Sequence, residues 1–79
     1  PSRSETKALA KRVAEIEATM ERLRADIEKI DRILAQPGYF EAHPDSAAQA
    51  AKTRAQREKQ LGEAEEAWLE ASAELEAAG

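Results

Sequence analysis

Apolar residues recur along the first half of the chain at Leu9, Val13, Ile16, Met20, Leu23, Ile27, Ile30 and Leu34. Their separations alternate strictly between four and three, and the positions between them are almost all polar or alanine. A seam repeating every 3.5 residues is the pattern of a helix that lays one narrow apolar stripe against a partner helix. The spacing predicts a helix over about 5–35, roughly 45 Å long at ~1.5 Å per residue. Gln36-Pro37-Gly38 then breaks it, because proline lacks an amide hydrogen and clashes with the preceding turn, while glycine suits the left-handed conformation found just beyond helix ends. Tyr39 and Phe40 follow the breaker and are expected to fold back on the tip near Ile33, Leu34 and Ala47.

A second helix is predicted over about 45–77, leaving a connection at 36–44. Three starts are compatible with its first residues: Ser46 with Gln49 as a capping box, Asp45 as an alternative cap, or Pro44 as the first helical residue after His43. Its seam runs Ala47, Ala50, Arg54, Arg57, Leu61, Ala64, Trp68, Ala71 and Leu75. A short connection favours antiparallel neighbours. The fold expected is therefore all-α, an antiparallel two-helix coiled-coil hairpin occupying 1–79 as one monomeric domain. Folding about 40–41 sets Leu34 level with Ala47, Ile27 with Arg54, Leu23 with Arg57, Met20 with Leu61, and Val13 with Trp68. Trp68 is accordingly expected in the seam against Val13 and Ile16. Arg54 and Arg57 have two readings. They lay their methylene stems over Ile27 and Leu23 and reach Asp26 and Asp31, the reading the flanking acids favour, or they mark a loosened stretch that meets a partner.

Composition supports the helical reading. Charged residues make up 35% of the 79 and aromatics only 4%, the balance of long helices and coiled coils. No apolar run approaches the ~20 residues that span a bilayer, which excludes a membrane helix. The absence of cysteine removes disulfides and thiolate metal sites, and is compatible with a cytoplasmic location. The chain opens at Pro1 without methionine, and the expectation is a piece of a longer protein.

Catalytic chemistry finds no foothold. His43 is the single histidine and lacks the company of a metal site; a loop or capping role suffices. The three glycines, at 38, 62 and 79, form no phosphate-cradling loop. Glu63, Glu65, Glu66, Glu70, Glu74 and Glu76 make an acidic run that reads as a solvated face, since acid–base work requires a cleft. Charge is uneven, however. The net charge is −4, yet residues 21–59 carry eight basic and seven acidic side chains against four and nine in the remainder. Arg22, Lys29 and Arg32 fall on the outer face of the first helix, and Lys52 and Lys59 on that of the second. All five belong to the loop-proximal half. They are candidate phosphate contacts, or solubilising charges interleaved with acids.

Leu34-Ala35-Gln36-Pro37-Gly38-Tyr39-Phe40, then Pro44, then Leu61, Ala64 and Glu65-Glu66-Ala67-Trp68-Leu69-Glu70-Ala71 resemble the C-terminal domain of ABC-F ATPases. The last stretch is similar to the Uup-like branch that also has ribosome-associated members. The resemblance covers about residues 9–77. It departs at Arg54 and Arg57, where apolar residues are more usual, and at Ala71, where leucine is common. It implies a non-catalytic module appended to two ATP-binding cassettes in a soluble cytoplasmic ATPase. ATP and magnesium would be held by those cassettes, outside this stretch. The partners it implies are nucleic acid, as DNA or ribosomal RNA, the ribosome, and the protein's own ATPase domains.

Overall fold

A computed structural model describes residues 2–79. The described chain is helical in three pieces: α1 (Arg3–Leu34), α2 (Tyr39–Ala42) and α3 (Pro44–Ala78). It is extended, about 58 Å long and 14 by 13 Å across, the shape of a helical hairpin.

α1 begins earlier than its apolar pattern because Ser2 caps it. The Glu5 amide donates to Ser2 Oγ at 3.2 Å, so Ser2-Arg3-Ser4-Glu5 satisfies an otherwise unpaired first-turn donor. The helix ends where Pro37-Gly38 forbids continuation, with the Ala35 amide donating to Asp31 O and the Gln36 amide to Ile33 O. Gly38 turns the chain with φ +76°, a backbone region that costs any side-chain-bearing residue energy.

The connection differs from the expected plain loop, and the structure has three helices rather than two. Residues Tyr39–Ala42 wind into one turn, closed by the Ala42 amide on Gly38 O and the His43 amide on Tyr39 O. Nothing in Tyr39–Ala42 opposes helix. His43 does, because the residue before a proline is driven out of the helical region; it sits at φ −135°, ψ 63°. Pro44 then opens α3 as its first residue, where a missing amide hydrogen costs nothing. The Ser46 and Asp45 caps are not used, since both already lie inside the helix. Tyr39 is half-buried and tilted against the His43 ring at 5.2 Å. Phe40 does not fold back; it is 55% exposed.

The core is a single layer between α1 and α3. Val13, Met20 and Leu23 from α1 and Ala47 and Ala71 from α3 are buried, and Leu61, Ala64, Leu75 and the remaining apolar seam of α1 are half-buried. Two helices with no third to cover them cannot remove more surface from water than this. Small residues on α3 thus face large ones on α1, as the two seams require.

Level by level, the pairs descend along α1 as they ascend along α3: Asp31 with Arg54, Asp26 with Arg57, Arg24 with Glu65, and Glu17 with Trp68. The midpoints of these pairs fall between residues 41 and 45, slightly beyond the expected 40–41. Ala47, in the first turn of α3, is fully buried. Trp68 is half-buried, and its indole reaches Glu17, the neighbour of Ile16.

Candidate nucleic-acid interface

The twelve basic side chains divide by whether an acid holds them. Arg54 donates from Nη2 to Asp31 Oδ2 at 3.2 Å and from Nη1 to Glu58 Oε1 at 2.6 Å. Arg57 Nε lies 3.5 Å from Asp26, and Arg24 3.7 Å from Glu65. Arg54 and Arg57 are thus seam residues whose stems run between the helices and whose heads reach flanking acids, the first of their two readings. The hydrogen bonds from Arg54 hold the Asp31 carboxyl below its usual range, and Asp31 in turn, with Glu58, holds the guanidinium further from deprotonation. Fixed in this way, these arginines are poorly available to a phosphate.

The five candidate residues behave differently. Arg22, Lys29, Arg32, Lys52 and Lys59 are all exposed, and among the described residues none of them forms an ion pair. Helical geometry turns them away from the facing helix, with Asp26, Glu28 and Glu63 one turn from Arg22, Arg32 and Lys59 on their own helices. Arg32 lies five positions past seam residue Ile27, and Lys52 and Lys59 five past Ala47 and Arg54, which turns all three directly outward. Arg22 and Lys29, two positions past Met20 and Ile27, lean from that same outer face. Along α1 the three cations span about 15 Å, and Lys52 and Lys59 stand about 10 Å apart.

Because α1 and α3 face each other through their seams, the outward direction of one is opposite to that of the other. The structure therefore brings Arg22, Lys29 and Arg32 together on one side of the hairpin, and Lys52 and Lys59 on the other. All five remain in the loop-proximal half, but as two stripes rather than one. The seven-residue repeat carried this information: outer positions on two facing helices cannot share a surface.

The far half is different in character. Glu63, Glu65, Glu66, Glu70, Glu74 and Glu76 are all exposed. Among the described residues no three His, Cys, Asp or Glu side chains converge to hold a metal ion, and no helix is long and apolar enough to cross a membrane.

Comparison with known families gives one match: a family model described as the ABC transporter C-terminal domain aligns with residues 4–77. Neither the curated proteins nor the solved structures provide a match.

Proposed function

The chain belongs to the ABC transporter C-terminal domain family, and from that premise we propose that it is an accessory interaction module of an ABC-F ATPase, folded as an antiparallel two-helix coiled coil with a one-turn cap at its tip. It carries no catalytic site, and its task is to contact nucleic acid, as DNA or ribosomal RNA, from its loop-proximal half. ATP chemistry belongs to the cassettes of the parent protein, which is cytoplasmic. The observation that carries this reading is the contrast in ion pairing within the loop-proximal half: Arg24, Arg54 and Arg57 are held by acids, while among the described residues Arg22, Lys29, Arg32, Lys52 and Lys59 are exposed and form no ion pair, as is true of Arg3, Lys7, Lys11 and Arg12 near the open end. A cation that supports the fold is held close to its partner, whereas a phosphate-binding cation must be free to exchange counterions for phosphates.

The test is affinity for duplex DNA and for structured RNA across a salt series. Each phosphate contact contributes about 0.7 to 0.9 to the slope of log affinity against log salt. Changing Arg22, Lys29 and Arg32 together to glutamate should weaken binding and flatten that slope by about two to three, with helicity unchanged. Lys52→Glu with Lys59→Glu should flatten it by about one to two. Absence of binding at low salt would instead favour a hairpin that only packs on its own ATPase. Binding indifferent to both sets of changes would place the surface elsewhere.

A further inference from the structure

Leu69 follows Trp68 directly, outside the seam spacing, and is 61% exposed. A leucine there adds nothing to the contact between α1 and α3. Trp68 beside it is half-buried, and its Nε1 donates to Glu17 Oε2 at 3.1 Å, which pins the indole across the margin of the seam. Two shallow grooves meet at this pair. One, of about 620 Å³, has Met20, Trp68 and Leu69 as its apolar surface and Glu17, Glu21, Arg24 and Glu65 around it. The other, of about 550 Å³, continues along α3 past Leu75 to Glu76. Sharing Trp68 and Leu69, they form one trough on one flank of the hairpin. From Glu65 to Glu76 it runs about 16 Å, the length of three helical turns. The opposite flank at this level has a groove of about 300 Å³, walled by Ile16, Thr19, Ala64 and Ala67 between Arg12 and Glu15.

We propose that this trough docks a cationic amphipathic helix of a partner protein. Tryptophan, methionine and leucine gathered in one depression are the side chains that anchor interfaces, and methionine adapts its shape to an incoming residue. The rim selects the charge of the occupant: four glutamates border the trough against one arginine, Arg24, which Glu65 already approaches at 3.7 Å. A helix presenting apolar residues at intervals of three and four places them over Met20, Trp68 and Leu69, and its lysines and arginines against the glutamates. A phosphate polymer is repelled by the same rim. The trough reaches Glu21 and Arg24, on either side of Arg22, but none of Lys29, Arg32, Lys52 and Lys59 lines it, and it does not depend on those residues binding nucleic acid.

Trp68 is the single tryptophan of the chain and reports directly on the trough. The probe is a tryptophan-free peptide of about three helical turns, with leucines at helical spacing and lysines elsewhere. A scrambled peptide of the same composition and a glutamate-for-lysine counterpart are its controls. The expected result is a saturable blue shift of Trp68 emission with the lysine peptide, and binding about ten-fold weaker or worse with either control. Leu69→Ala should weaken the lysine peptide about ten-fold, the loss of one anchor, and Glu21→Lys should weaken it as well; circular dichroism confirms that both variants stay folded. Equal binding of the scrambled peptide would mean diffuse charge attraction and overturn the proposal, as would indifference to Leu69→Ala. A blue shift that grows with protein concentration alone would assign the trough to a second copy. A shift on adding DNA or RNA instead of peptide would assign it to nucleic acid. Either result would overturn the assignment.

Discussion

Arg54 stands in the row where an aliphatic side chain is expected, and Asp31 and Glu58 reconcile it with that place. The spacing in the sequence located it in the seam and named Asp31 and Asp26 as the acids flanking the two seam arginines, because acids on either side of a heptad seam lie within reach of a long stem. What the sequence could not provide was the level at which they meet. Asp31 is held below its usual value near 3.8 by the Arg54 hydrogen bonds. A depressed folded value means that its stabilising contribution is present above the unfolded value and is lost as pH falls through the folded one. Asp31→Asn should therefore lower the thermal midpoint at neutral pH, and the gap from wild type should close as pH drops below about 4. Thermal melts at several pH values check this, and added salt should narrow the gap, because the pair is partly exposed. Trp68 teaches a related lesson. Its seam position was legible from spacing; its hydrogen bond to Glu17 was not, since periodicity does not encode which polar side chain reaches the indole.

At the scale of elements, both long helices were legible to within two residues at each end. The capping pair Ser2 and Glu5 lies upstream of the first seam residue, so a reading anchored on Leu9 begins the helix late. α2 is only four residues long, too short to show any period. Two glycines separate the forces involved. Gly62 lies inside α3 with nothing within 4 Å of where a Cβ would stand, so it contributes only backbone entropy to the unfolded chain. Gly62→Ala should raise stability by about 0.5–1 kcal/mol. Gly38 sits at φ +76° in the turn, where alanine is strained although space exists. Gly38→Ala should lower stability by about 1 kcal/mol. Chemical denaturation of the two variants beside the wild type checks both signs in one experiment.

At the scale of the molecule, a rod 58 Å long separates two chemistries along its axis. The loop-proximal half carries the five candidate cations, and the far half carries the glutamate run, four further exposed cations at Arg3, Lys7, Lys11 and Arg12, and the trough at Trp68 and Leu69. The polarity was visible in the sequence as uneven charge, because a hairpin brings the middle of a chain to one end and its termini to the other. The division of the cations between two opposite sides follows only once both helices are set face to face, and the trough follows only once Trp68 and Leu69 are placed beside Met20. Membership of the ABC transporter C-terminal domain family bears out the resemblance at the level of the family. The central claim is that nucleic acid meets the loop-proximal half and avoids the acidic one. Its most direct test is a residue-resolved NMR titration of the isotope-labelled chain with duplex DNA and with structured RNA at low salt. The predicted result is perturbation around Arg22, Lys29, Arg32, Lys52 and Lys59 that fades as salt is added, with Glu63 to Glu76 silent. Spectra unchanged by either nucleic acid, or shifts centred on the acidic end, would contradict it.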